Sequence, residues 1–254
     1  MRLLEGEFSV FAPDLRGYNR TTRPEDLEAY RPEKLIADGA GLLQALNLSD
    51  VTLVGHDWGA TLAFWMALEK PERIKRLVIL NGAHPYVLQD CIWDDPAQRA
   101  ASQYIRRSMS GEAGETLNAA NAPKIAQLWL GEAKELGTVN EQEYEVYLSL
   151  WSEPDAWPAM MNWYRASPFI VPDAGAPSPA PRWSAGRDYK VPCPVTVIWG
   201  DQDKVFQPSV LEALKPHVSD LEIHHLPTAG HVPQRDNPEF CAKIIAEAAR
   251  RRVD

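Results

Sequence analysis

The 254-residue sequence predicts an α/β protein: a mostly parallel sheet flanked by helices, interrupted by an inserted helical segment. Three observations carry this expectation. Short β-branched and aromatic runs alternate with runs of helical periodicity. One junction, Val54-Gly55-His56-Asp57-Trp58-Gly59-Ala60, has the form of a strand, a tight turn and a helix. Between about His84 and Lys190 the alternation gives way to tryptophan-rich helical stretches.

Taken in order, "FSVFAPD" from Phe8 reads as a strand. "PEKLIADGAGLLQALNL" reads as a helix from Pro32, with Leu35, Leu42, Leu43 and Leu46 on one apolar face. "VTLVGHD" is the next strand. "TLAFWMALEK" is a helix that Pro71 stops, because proline has no N–H to continue the ladder. "RLVILNG" closes the first set of strands. The inserted part contains "IAQLWLGEAKEL" and "EQEYEVYLSLW" and ends in the Pro/Ala-rich connection "VPDAGAPSPAPRW". Strands resume with "CPVTVIWGDQD" and "LEIHHLP", and "PEFCAKIIAEAARRR" is an amphipathic final helix. The expected organisation is therefore residues 1–83 and 191–254 as a core, with 84–190 inserted.

Composition narrows the partners. At 45% hydrophobic and 24% charged residues, the chain can bury a large core. A net charge of -9 gives no reason to expect nucleic acid, and the short basic run Arg250, Arg251 and Arg252 reads as a solvated helix end. Cys91, Cys193 and Cys241 have neither disulfide-framework nor metal-ligand spacing, which fits a reducing, cytoplasmic setting. No run is apolar for the length of a membrane span, so no membrane association is expected. The sequence specifies no oligomeric state.

The chemistry centres on Asp57. A carboxylate with an ordinary pKa near 4 is ionised at neutral pH and needs no base to become a nucleophile. Attack on an acyl carbon would give a high-energy anhydride, whereas attack on an alkyl carbon gives an ordinary ester. The expected electrophile is an epoxide or a haloalkane, and a base is needed only to hydrolyse the ester. His231, in "PTAGHVPQ" after a strand, is the candidate base. His224 and His225 compete but lie within the strand. Asp201 and Asp203 both follow a strand, and periodicity leaves open which of them orients the histidine.

The phrases "APDLRGY", "VGHDWGA", "NWYRA" and "GDQD" resemble the epoxide hydrolases and their haloalkane dehalogenase relatives, in the α/β-hydrolase superfamily, from about Phe8 to the C-terminus. The resemblance implies an α/β-hydrolase fold with a helical cap and no cofactor. It makes Asp203, the third residue after Gly200, the orienting acid, and gives the Trp58 N–H half of an oxyanion hole. Tyr164 matches the second of two phenols that protonate the epoxide oxygen. Tyr104 matches the first more loosely; for each, a packed cap residue is the alternative. The implied substrate is a small apolar epoxide. A haloalkane dehalogenase using the same Asp57 and His231, or a binding protein without turnover, is the alternative reading. A fluoroacetate dehalogenase would carry arginine at Trp58. Family members also open with three strands, the third ending in H-G-x-P. This chain has no H-G-x-P and starts just before what looks like strand four, so strands one to three are expected to be missing.

Overall fold

The computed structural model describes residues 1–177 and 183–251. Residues 178–182 of the Pro/Ala-rich connection, and Arg252 of the basic tail, lie outside the described residues. The chain divides into two compact units, one of Met1–Val10, Leu35–Gln103 and Phe169–Asp254, the other of Phe11–Lys34 and Tyr104–Pro168. Against the expected segments, residues 84–103 and those from 169 onward gather with the sheet, and residues 11–34 join the helices of the second unit.

In chain order the main elements are α1 (Pro32–Ala45), β1 (Val51–His56), α2 (Trp58–Glu69), β2 (Ile74–Leu80), α3 (Pro85–Asp94), α4 (Pro96–Ala101) and α5 (Gln103–Ser110). There follow α6 (Ala122–Glu135), α7 (Glu141–Trp151), α8 (Ala156–Arg165), β3 (Val195–Gly200), α9 (Pro208–Leu214), β4 (Leu221–Leu226), α10 (Pro233–Asp236) and α11 (Pro238–Arg250). Among the described residues, four strands form one parallel sheet in the order β1-β2-β3-β4. Leu53 lies opposite Leu77, Leu77 opposite Val195, and Val195 opposite Leu221, so all four carboxyl ends reach the same edge.

Alternation along the strands decides what each face meets. Val78, Leu80 and Ile198 pack with Leu226 and Ala229 against Cys241, Ile244 and Ala248 of α11. Helix α2 is buried at every position from Ala60 to Ala67, as expected of a helix apolar all round. The second unit has its own apolar clusters. Ala126, Leu130, Ala133, Val139 and Tyr144 form one, and Ile125, Ala156, Trp157 and Met160 another. Among the described residues no helix is long and apolar enough to cross a membrane, and Cys91, Cys193 and Cys241 are free thiols.

Two expectations are corrected. "FSVFAPD" is not a strand; residues 8–14 form neither helix nor ladder. Strand stability comes from a paired neighbour, and among the described residues β1 is paired only with β2. Phe11, within that stretch, is 55% exposed. In α1, Ile36 is buried beside Leu35 and Leu43, while Leu46 is exposed because the helix ends at Ala45.

Candidate active site

The turn after β1 is built by crowding. A Cβ on Gly55 would lie 2.6 Å from the Ala60 Cα and the Gly59 carbonyl oxygen, so only hydrogen fits there. A Cβ on Gly82 would lie 2.1 Å from the Ala60 Cβ, which lets the end of β2 close over the same spot. Between them Asp57 takes φ 50 and ψ -121, a strained conformation for a residue with a side chain. Asp57 stands at the N-terminus of α2, where the helix dipole favours negative charge, and its carboxylate accepts the Trp58 N–H.

The other candidate residues converge on it along the carboxyl edge of the sheet. His231, on the turn after β4, has Nε2 3.2 Å from Asp57 Oδ2 and Nδ1 3.0 Å from Asp203 Oδ2. Asp203, on the turn after β3, has a buried side chain. Its Oδ1 accepts the Val205 N–H at 2.6 Å and the Phe206 N–H at 3.3 Å, and its Oδ2 accepts Asn81 Nδ2 at 2.7 Å. Asp201 is elsewhere engaged, with exposed His225 at 2.6 Å, and His224 pairs with Glu222 at 3.1 Å. The structure thus pairs Asp203, not Asp201, with His231.

Electrostatics follow from this line of charges. Burial alone would lower the His231 pKa, but hydrogen bonds and charge from Asp203 and Asp57 outweigh it and push the imidazole up to about 9. Burial would raise Asp57, yet His231, His56 and the Trp58 N–H hold it below the usual carboxylate range. Asp203 is likewise held low, chiefly by His231 against its own burial. At neutral pH the resting site is therefore a carboxylate, an imidazolium and a second carboxylate.

Two residues that the sequence reading passed over complete the arrangement. Asn81, fully buried after β2, accepts the Gly200 N–H on Oδ1 at 2.7 Å and donates from Nδ2 to Asp203, tying the ends of β2 and β3 together. Its only signal was an amide closing the apolar run "RLVILNG". His56 donates from Nε2 to the His231 carbonyl oxygen at 2.7 Å, which fixes the backbone of the candidate base. Burial pushes the His56 pKa down, which keeps that ring neutral. Phe169 lies 6.0 Å from the Trp58 ring and Phe206 lies 5.6 Å from the His231 ring, which gives the polar line apolar walls.

Within the second unit, Tyr104 on α5 and Tyr164 on α8 come together edge to face, with centroids 6.0 Å apart and planes at 80°. The same unit holds Trp129, Trp151 and Trp157 in mutual contact at 5.5 to 5.7 Å, and Trp163 donates to the Arg16 carbonyl oxygen at 2.8 Å.

A strained acidic turn between a parallel strand and a helix, met by an acid and a histidine from later strand ends, defines an α/β hydrolase. A family model described as the alpha/beta hydrolase fold matches residues 1–238, and the chain belongs to that family. Among its relatives, AB hydrolase superfamily protein YfhM of Bacillus subtilis (strain 168) is 26% identical over 245 residues, which are 96% of this chain and 82% of that protein. Human epoxide hydrolase 4 is 28% identical over 251 residues, and there the match spans 66% of the relative's length. Among solved structures, an epoxide hydrolase of this superfamily from hot-environment metagenomes matches with a TM-score of 0.77 at 33% identity, covering 92% of this chain and 80% of that one. An inhibitor complex of the Bacillus megaterium epoxide hydrolase matches with a TM-score of 0.79 at 27% identity, covering 93% and 82%.

Proposed function

We propose that this protein hydrolyses epoxides to vicinal diols through an ester on Asp57. The observation that carries the reading is the Asp57–His231–Asp203 line, with a carboxylate already ionised and a histidine held between two acids. The relatives named as epoxide hydrolases support the substrate class. The Asp57 carboxylate attacks the less hindered epoxide carbon, and the ring C–O bond breaks with its electron pair moving to oxygen. Tyr104 and Tyr164 are the proposed proton donors to that oxygen. An alkyl halide leaving group needs no proton, so the paired phenols favour the epoxide over the haloalkane.

Formation of the ester removes the charge on Asp57, and with it one of the two groups that hold His231 protonated. The imidazolium then gives up its proton to solvent, the phenolate left by ring opening takes one back, and His231 becomes the base for the second step. His231 takes a proton from water while the water oxygen attacks the carboxyl carbon of the ester. The tetrahedral oxyanion is held by the Trp58 N–H, and collapse breaks the carboxyl C–O bond. The leaving alkoxide takes the proton from His231 and departs as the diol, and the new Asp57 carboxyl group ionises and returns a proton to His231. Asp203 steadies the imidazolium formed. No step calls for a cofactor, and nothing in the site requires a cytoplasmic location, which stands as the reading of the cysteine pattern alone.

The test is a single turnover of an aryl epoxide in heavy-oxygen water with protein in excess. Label is expected in Asp57 and not in the first diol, because water attacks the carboxyl carbon. Label in the first-turnover diol would mean direct attack of water and would remove Asp57 as the nucleophile.

A further inference from the structure

We infer that Gln98, a buried glutamine on α4, is a positioning residue for Asp203 that serves hydrolysis of the ester and not its formation. The inference rests on the two-step reading above.

Gln98 is 1% exposed and uses its whole amide. Oε1 accepts the Gln207 N–H at 2.8 Å, while Nε2 donates to the Val205 carbonyl oxygen at 3.1 Å and to Ser102 Oγ at 2.9 Å. One side-chain amide therefore pairs with the C=O of one residue and the N–H of the next but one, as a neighbouring strand would, and locks residues 205–207 in one conformation. The inner side of that same segment aims the Val205 and Phe206 N–H groups at Asp203 Oδ1. With Oδ1 occupied, Oδ2 is the oxygen left for His231 Nδ1 and for Asn81. The Phe206 ring, 5.6 Å from the imidazole, bounds the other side of His231. Rotation of the Asp203 carboxylate, and so the alignment of His231, is fixed through Gln98 without Gln98 touching either residue. Ser209 Oγ donates to Asp95 Oδ2 at 2.5 Å and tethers the segment just beyond, so loss of the Gln98 amide loosens the segment without releasing it.

The step assignment follows from what each step needs. Alkylation of Asp57 uses a carboxylate that is already ionised, whereas hydrolysis uses His231 as a base, aligned by Asp203. Gln98→Met keeps length and loses every hydrogen bond. It is expected to slow ester hydrolysis on the order of tenfold, a part of the roughly 10²–10⁴ that a general base contributes, while the alkylation rate changes less than about twofold. With an aryl epoxide such as styrene oxide, kcat and KM should then fall together with kcat/KM preserved, and intact mass spectrometry should show the alkyl-enzyme accumulating. A second measurement is independent of turnover: the His231 ring, followed by NMR, should titrate at lower pH in Gln98→Met than in wild type. Equal loss of kcat and kcat/KM, or an unchanged His231 titration, would make Gln98 a purely structural residue and overturn the inference. Should Gln98→Met fail to fold, Gln98→Asn, which keeps an amide one methylene short, is read by the same two criteria. If wild type forms no adduct with any epoxide, the functional reading fails, and the NMR titration still decides the role of Gln98.

Discussion

His231 lies between Asp57 and Asp203, and its proton ties stability to pH. Its pKa is about 9 in the folded protein against about 6.5 unfolded, so between those values the folded state holds a proton that the unfolded state has lost. The stabilisation is fully present below about pH 6.5 and disappears as pH rises through about 9, at most about 3 kcal/mol. Buried His84, lowered to about 3, has the opposite sign; it costs stability as pH falls below about 6.5 and is silent above it. The three thiols, Cys91 and Cys241 buried and Cys193 partly so, are raised by desolvation and add a loss only above about pH 8.5, where unfolded cysteines begin to ionise. Urea unfolding of wild type at pH 6, 7.5 and 9 should therefore show a decline that His231→Gln flattens; parallel declines in both proteins would remove the ion pair from the account. At this scale the sequence was informative where a residue's type dictates its chemistry. An acidic elbow needs a later base, which singled out Asp57 and His231. Asn81, His56 and Gln98 escaped because an amide at a strand end or on a helix carries no pattern, and their roles depend on where distant turns bring their partners.

The elbow shows how one element depends on a few atoms of free space. Gly55 has no room for a Cβ against backbone atoms of Gly59 and Ala60, whereas nothing lies within 4 Å of a Cβ on Gly59. The two glycines of one motif therefore do different things. Gly55→Ala is expected to destabilise on the order of 3 kcal/mol, since backbone must move. Gly59→Ala, within the first turn of α2, should be neutral or gain up to about 1 kcal/mol from helix propensity. Chemical denaturation of both variants checks this, and equal effects would mean that crowding does not build the turn. Elements held by local signals were read well. Helix α7 runs over the residues its periodicity marks, and its start is fixed by a capping box between Asn140 and Glu143. The stretch from Phe8 was misread because a strand is not a local object. Its apolar residues suit a pleated surface, but Pro13 and the want of a paired neighbour leave it outside the sheet.

Across the molecule, the sheet order sets which backbone groups are protected. β2 and β3 each have a strand on both sides, whereas among the described residues β1 and β4 are paired on one side. β3 is buried at every position and β2 at all but one, while β1 has Val54 47% exposed in the middle of the strand. The parallel order was legible from the alternation of strands and helices, because such strands need a crossover and the crossover must lie on a face. Which strand ended the sheet was not, since that depends on every pairing at once. Amide hydrogen exchange should reflect the difference. In a parallel strand, alternate N–H groups point to opposite neighbours, so about half of the β1 amides face β2 and the rest face the open side. Amides of β2 and β3 should exchange only on global unfolding, and those of β1 facing outward should exchange through local opening, faster by orders of magnitude. The β1 amides bonded to β2 should fall between. Val54→Lys, placed on this exposed surface, should change stability by no more than about 0.5 kcal/mol. Residue-resolved exchange by NMR separates these classes. Uniform protection along β1, equal to that of β2, would show that the outer side of the strand is covered in solution and would overturn its assignment as an open edge.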